Sequence, residues 1–474
     1  MKRLLIGALA VLLAQAAFAE KNGTEDPDPA LGDLMRVLRD EGVLDQQQYE
    51  DLTKKAAEEA NKAAEQAAPE SDGEDEYAHW YDRIDLWGDF RGRAEGFHYY
   101  DDPVNGQRGR SDRFRLRYRL RLNAKGHVND YADVFVQVAG GNDSRTTNDT
   151  LGDPIDFGKN DIFIQMAYAR VSPFPKGQLP DREGSLWGFF GRTPQPWRWG
   201  VYKDWIWDDE ISPAGLYLQG DTKLAEFECL KNVKLFGNGG YYIIDEESTS
   251  KDPSLSAVQV GFHADPESPF ELGSKLSLFT FFNLNSGFIS RGVDSSGQSA
   301  ATSSAGNILG GLTGDPTGGH LNVIEFGTYV TARLIEQWPI TLYGNISHNF
   351  DAESATVVNP IGSAIPGTFR ASPESLFWVV GFDVGDKKEW VKFRMLYAWL
   401  EANAFPSQFI DSDLHDGVSN RRGFVWGLTK SVMTNVDVSA TAFLDHSIKE
   451  TGAYLNSLSG SHRFRMQANV VLSF

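Results

Sequence analysis

The chain reads as all-β: a closed antiparallel transmembrane β-barrel of about 16 strands, preceded by a short N-terminal helical or coiled-coil segment. Three observations predict it. A run of five arginines alternating with five apolar residues makes sense only as a strand with two unlike faces. About sixteen period-two segments are joined by connections that alternate between long and short. The chain also stops at Phe474, an aromatic residue in phase with the apolar face of its last strand.

The N-terminus comes first. Lys2 and Arg3 precede an apolar run over 4–17 and then Ala17-Phe18-Ala19. This is the layout of a signal peptide, 1–19, cleaved after a small-residue site. The other reading is an uncleaved anchor, although the run is short for a bilayer span. No later stretch is long and apolar enough for a spanning helix. A mean hydropathy of −0.36 suits a barrel, whose alternating strands average out. Cys229 is the only cysteine. It reads as a small residue in a turn, with pairing between chains or metal binding as alternatives.

Residues 20–80 differ from the rest. Leu31, Leu34, Met35, Val37, Leu38, Val43 and Leu44 fall at helical spacing. Gly42 interrupts the pattern, and Asp45 with Gln48 three places on makes a capping box for a second helix. Residues 54–68 are rich in Ala, Glu and Lys, as in an exposed helix or coiled coil. Residues 69–76 form an acidic linker expected to be disordered. This segment carries about 12 of the 20 net negative charges. The chain offers no basic footprint for nucleic acid.

From Tyr81 onward the period is two. Asp85, Trp87, Asp89, Arg91, Arg93 and Glu95 alternate with Ile84, Leu86, Gly88, Phe90, Gly92 and Ala94. Next, Arg113, Arg115, Arg117, Arg119 and Arg121 alternate with Phe114, Leu116, Tyr118, Leu120 and Leu122. An arginine facing lipid near the midplane costs several kcal/mol, roughly 2–4. The arginine face therefore points to water and the apolar face to lipid. The strand cores are expected at 83–97, 111–124, 131–140, 161–171, 185–192, 215–222, 233–244, 255–263, 275–284, 321–333, 339–349, 375–384, 390–400, 421–430, 436–446 and 463–474. Long connections at 98–110, 141–160, 285–320, 350–374 and 401–420 alternate with turns such as 125–130, Glu336-Gln337-Trp338, 385–389 and 431–435. Long loops outside, short turns inside and an even count put both barrel ends on the periplasmic side of an outer membrane. In the last strand Phe464, Met466, Ala468, Val470, Leu472 and Phe474 alternate with Arg463, Arg465, Gln467, Asn469, Val471 and Ser473. Outer-membrane barrels resemble one another in ending on such an aromatic residue, so Phe474 is expected to be the signal for the barrel-assembly machinery.

Several motifs now carry a resemblance. Leu34-Met35-x-Val37-Leu38, Gly42-Val43-Leu44 and Tyr49 resemble the helical N-terminus of a bacterial outer-membrane porin family related to the phosphate-selective (polyphosphate/phosphate) porins. Gly191-Arg192-x-Pro194-x-Pro196-Trp197 and Trp207-Asp208-Asp209-x-Ile211-x-Pro213-x-Gly215 are similar to that family's segment after the fifth strand. The resemblance implies an outer-membrane barrel of a Gram-negative-type bacterium, assembled as a homotrimer. It does not imply phosphate selectivity, because a lysine-rich lumen is not evident.

The residues expected to act are charged. Residues 192–214 form the third external connection, with Trp197, Trp199, Trp205 and Trp207 among Arg192, Arg198, Lys203, Asp204, Asp208, Asp209 and Glu210. Indoles tucked against the inner wall would fix this loop inside the barrel. Its acidic groups (Asp204, Asp208, Asp209 and Glu210) are then expected to face Arg91, Arg93, Arg113, Arg115, Arg117 and Arg119 across a narrow gap, a transverse field suited to passing polar solutes. Alternatively, the arginines pair with Asp85, Asp89, Glu95 and Asp133 and merely hold the wall together. Asp208-Asp209-Glu210 as a Ca²⁺ site lacks EF-hand spacing. The Gly-rich loop over 294–319 lacks a phosphate-loop signature. There is no H-E-x-x-H or G-x-S-x-G, and the histidines lack metal-ligand spacing. No enzyme activity, metal or cofactor is expected. The expectation is passive diffusion of small polar or anionic solutes, with outer-membrane lipid around the barrel and peptidoglycan within reach of the helical segment. A non-conducting structural or adhesive barrel is the second reading; it needs an inward mass larger than 192–214, and none precedes the barrel except the short helical segment.

Overall fold

Sixteen strands pair in a single antiparallel meander that closes on itself. The computed structural model describes residues 79–100, 112–141, 147–152, 161–180, 182–198, 202–225, 232–248, 251–264, 270–285, 307, 318–335, 338–359, 367–449 and 462–474, and also Lys54. The chain divides into two compact units, Met1–His79 and Trp80–Phe474, of which the second is the barrel. The signal peptide, helical segment, acidic linker, Cys229 and Trp199 lie outside the described residues, as does most of the Gly-rich loop.

The strands are β1 (Ile84–Tyr100), β2 (Arg113–Asn129), β3 (Ala132–Gly141), β4 (Asp161–Val171), β5 (Gly184–Arg192), β6 (Ala214–Ala225), β7 (Val233–Ile243), β8 (Ser254–Ala264), β9 (Phe270–Asn285), β10 (Gly318–Ala332), β11 (Ile340–Asn349), β12 (Leu376–Val384), β13 (Lys392–Leu400), β14 (Arg421–Met433), β15 (Val436–Ser447) and β16 (His462–Ser473). Each pairs with its neighbours in sequence, and β1 pairs with both β2 and β16. At the seam Gly88 and Phe474 exchange both backbone hydrogen bonds, at 2.8 and 3.0 Å. Closure satisfies the two edges that an open sheet would leave unpaired, which lipid would not tolerate. Gly88 is needed there, because a Cβ would meet the Phe474 ring and the Arg121 carbonyl oxygen at 2.7 Å each.

Alternation sorts the two faces. Leu86, Phe114, Leu116, Leu120, Leu122, Ile162, Phe190, Leu218, Val260, Leu342, Val380 and Met466 are exposed apolar side chains. Their neighbours at odd register are polar or buried: Arg93, Glu95, Arg119, Gln259, Lys275, Glu325, Asn345, Asp383, Asp445 and Arg465. A chain with its apolar residues outside and its charges inside is sorted for lipid around it and water within. Near the short-turn end Tyr131, Trp338, Trp390 and Phe474 are exposed, with Trp338 against Trp390 at 4.5 Å. Trp378 and Trp399 stack toward the opposite end. These two rims suit membrane interfaces.

Two irregularities matter for the interior. β3 pairs only with Arg121–Asn129 of β2. Above it the two-residue strand Asp149–Thr150 returns to pair with Arg117 and Tyr118. The longest-range local device is a hairpin, Ala355–Asn359 with Gly367–Ala371, which forms its own two-stranded sheet.

The seam register predicts a cross-link. Ala94 lies opposite Ala468, and antiparallel partners sit within disulfide range. Ala94→Cys with Ala468→Cys, in a Cys229→Ser background, should oxidise to an intrachain disulfide that changes migration on a denaturing gel. Failure to form it, while Ala94→Cys with a cysteine at Met466 succeeds, would move the register by two residues.

Candidate functional site

The inner wall is strongly polarised. On β1, β2 and β16 it is basic. Arg119 and Arg121 share Asp89, at 2.8 and 2.7 Å. Arg115 and Arg465 converge on Glu95, which is fully buried. Arg170 meets Asp133 at 2.7 Å, and Lys125 approaches Asp85 at 3.8 Å. So pairing within the wall is present for Asp89 and Glu95, and Asp85 and Asp133 take cations other than the β1 and β2 arginines. Arg113 is exposed near the loop end of β2. Farther round, Arg421 and Arg463 clamp the buried Asp445.

The opposite wall is aromatic. Tyr217, Tyr242, Phe279, Phe281, Tyr329, Tyr343, Phe377 and Leu396 are buried on inward positions of β6 to β13. Residues 193–198 and 202–213 pack onto them. Trp197 meets Tyr242 and Phe279 edge-on at 5.6 and 5.7 Å, and Trp207 lies 4.3 Å from Trp197. Trp205 stacks on Tyr343 and carries the Lys203 ammonium at 3.7 Å. Wall donors also grip the loop backbone: Asn238 donates to the Pro196 carbonyl at 3.1 Å and Gln259 to that of Trp197 at 2.7 Å. Backbone carbonyls turned away from water need such donors.

A second connection joins the first. Residues 401–420 bridge to it through Trp207 and Ile410. Asp208 N donates to Phe409 O at 2.8 Å, and Asp411 N to Ile206 O at 2.9 Å. Phe405, Ile410 and Leu414 are buried with Trp207 in one apolar cluster. Residues 401–420 are therefore a second segment packed with the first, which the sequence reading of one inward loop did not include. The sequence signal was there in Ala402-x-Ala404-Phe405 and Phe409-Ile410, apolar residues that an external loop in water has no reason to carry.

The loop carboxylates separate by role. Only Glu210 reaches the β1–β2 arginines, lying 3.5 Å from Arg91 and 3.5 Å from Arg119. It is held by Thr147 and Asn148, each at 2.9 Å. Asp204 sits on the far side, buried 2.9 Å from Lys275, which also meets Glu325 at 3.0 Å. Burial alone would raise the Asp204 pKa; the Lys275 ammonium outweighs it and holds the carboxyl below its ordinary range. Asp208 accepts backbone bonds from Glu210 and Ser412. Burial, with Asp209 beside it, still pushes Asp208 up to about 7. Asp411 is raised by burial and by Asp209. Asp209 itself is exposed, Arg198 is half-buried, and Arg192 ends β5 as an exposed residue two places from the exposed Phe190. The arrangement of four acids facing six arginines is thus corrected to one, Glu210, because the indoles turn Asp204 toward Lys275 and the second loop takes Asp208.

Asp413 of 401–420 was not anticipated. It lies 3.1 Å from Arg93 and 3.1 Å from Arg465, and Gln467 donates to it at 2.9 Å. Between these groups is a polar cavity of about 50 Å³, lined by Arg91, Arg93, Arg115, Arg117, Arg465, Asn148, Asp209, Glu210, Ser412 and Asp413. The Nε atoms of Arg91, Arg117 and Arg119 are buried without a hydrogen-bond acceptor among the described residues.

The Lys275 triad predicts how firmly the first loop is held. Lys275→Met strands two buried carboxylates and should lower stability by about 3–5 kcal/mol, read as the urea midpoint of the barrel refolded into vesicles. Adding Asp204→Asn and Glu325→Gln should recover most of that loss. An unchanged midpoint in the single variant would mean the triad does not anchor the loop.

Residues 98–307 match a family model described as "Putative porin". No curated protein sequence matches the chain. Among solved structures the chain is similar to OprB of Pseudomonas putida at high pH, with 9% identity, a TM-score of 0.47, and 82% of this chain and 94% of that one covered. It is similar to the outer membrane channel DcaP of Acinetobacter baumannii at 9% identity and a TM-score of 0.41, covering 82% and 97%. Salmonella typhi OmpF in complex with daunomycin gives 10% identity and a TM-score of 0.43, covering 82% and 97%.

Proposed function

We propose that the chain is an outer-membrane porin through which small polar solutes and ions diffuse passively, with a bias toward anions. The observation that carries this reading is the inward arginine wall of β1 and β2. Arg91, Arg93, Arg115, Arg117, Arg119 and Arg121 occupy a face that a barrel meant only as a surface scaffold could fill with apolar side chains at lower cost. Residues 192–214 narrow the lumen in this reading, with Glu210 and Asp209 opposing the wall. Opposed charges across a gap orient polar solutes, and several weak sites let ions leave as easily as they enter. The match of 98–307 to a porin family model supports the same reading.

The remaining parts follow from it. Phe474 serves the barrel-assembly machinery, and the barrel stands as a homotrimer in outer-membrane lipid. The N-terminal segment lies in the periplasm within reach of peptidoglycan. No step of this function calls for catalysis or a cofactor.

One observation favours a second reading, a non-conducting structural or adhesive barrel. The two loops fill the aromatic half of the interior with a continuous apolar cluster. Passage is then confined to the charged half.

Single-channel recording in a planar bilayer separates the two. Steady open channels should appear with the purified protein, and reversal potentials in a KCl gradient should favour chloride. Arg115→Glu with Arg117→Glu should move the preference toward potassium. Folded barrels without conductance would remove the porin reading and leave the scaffold.

A further inference from the structure

We infer that Asp413, carried by the connection between β13 and β14, is the carboxylate that sets the ion preference of the lumen. This rests on the channel reading above and assigns its selectivity to a loop outside 192–214. The acids of the first loop are each committed or uncoupled. Asp204 is buried on Lys275. Asp208 is caged by backbone N–H groups of both loops. Glu210 keeps only 5% of its side-chain surface open, and Asp209 has no ion pair to the wall among the described residues. Asp413 alone combines wall contact with access: it touches two arginines and keeps 38% of its side-chain surface open.

Its position is built rather than incidental. Phe405, Ile410 and Leu414 bury the loop that carries it. Ser412 N donates to Asp208 at 3.0 Å on one side, and Arg465 donates to Ser412 O at 3.1 Å on the other. Asp413 N donates to Asp411 at 2.8 Å, so the side chain is aimed from within its own turn. One carboxylate about 3 Å from two guanidinium groups offsets about half of their combined charge beyond the contact. Asp413 is therefore an internal counter-ion for Arg93 and Arg465. A passing anion competes with it for the same donors, and a passing cation meets less positive charge where it sits.

The test is reversal-potential measurement on Asp413→Asn beside Asp209→Asn. Asp413→Asn should raise the chloride-to-potassium permeability ratio by about threefold or more at low salt, where screening is weak. Asp209→Asn should change it far less. In a Cys229→Ser background, Asp413→Cys gives the same answer with the side chain rebuilt in place. A sulfonatoethyl thiol label, which restores one negative charge, should return the wild-type ratio, and a trimethylammonium label should push it further toward chloride. Wild-type conductance with no change in the Asp413 variants, or a larger shift from Asp209→Asn, overturns the assignment and leaves the channel standing. Absence of wild-type conductance from folded barrels removes the channel and the assignment together. Because the label acts on an already folded barrel, a ratio that ignores the sign of the label overturns the assignment even if Asp413→Asn folds poorly.

Discussion

Everything in this barrel follows from where the arginines of β2 can point. Five guanidinium groups on alternate residues cannot face hydrocarbon, so the strand has one permitted orientation. Since pairing register transmits orientation from strand to strand, β1 and β16 inherit it, and β16 must present Arg463 and Arg465 to the same interior. The wall that results carries more positive charge than Asp89 and Glu95 can balance. Further carboxylates must come from outside the strands, and loops are the parts of a meander free to supply them.

That requirement explains why two loops that bury apolar side chains also carry carboxylates to the wall. A loop brought inward by charge alone would be screened by lumen water and held weakly. Trp197, Trp205 and Trp207 solve this for the first loop by burying their rings against β7 to β11. Phe405 and Ile410 do the same for the second by packing on Trp207. The apolar half of the interior is thus an anchor. It fixes Glu210 and Asp413 opposite the basic half without asking the ion pairs to supply the holding energy. Lys275 adds a polar pin where the first loop would otherwise leave Asp204 buried and unpaired.

Much of this was legible in the sequence, and the reason is periodicity. Strand orientation is a local property, so Arg113 to Leu122 declared their two faces without any partner, and all sixteen strands were found within a few residues. In the third connection Trp197, Trp205 and Trp207 are buried, and tryptophans without an aqueous explanation are the sequence's sign of that burial. Pairing across the barrel was not legible. Nothing near Asp204 in sequence announces Lys275 on β9, and nothing near Asp413 announces Arg93, which lies 320 positions earlier. Such contacts are set by barrel closure and by how far each loop reaches, neither of which leaves a short-range pattern. The apolar residues of 401–420 were a usable hint of buried surface.

The division of labour inside the barrel also bears on how it could vary. Wall arginines are tied into register through Asp89 and Glu95, so changing one disturbs its neighbours on three strands. The loop carboxylates meet the wall at fewer points, Glu210 at Arg91 and Arg119 and Asp413 at Arg93 and Arg465. A carboxylate at the end of a well-anchored loop can be gained, lost or moved by one residue while the Trp and Phe anchors stay put. The charge of such an interior is therefore adjusted most cheaply on the loops, with the basic wall as a constant background. The same logic accounts for the unequal fates of Asp204 and Asp413. The first became part of the anchor and lost contact with the lumen, and the second kept both its partners and its access to whatever passes.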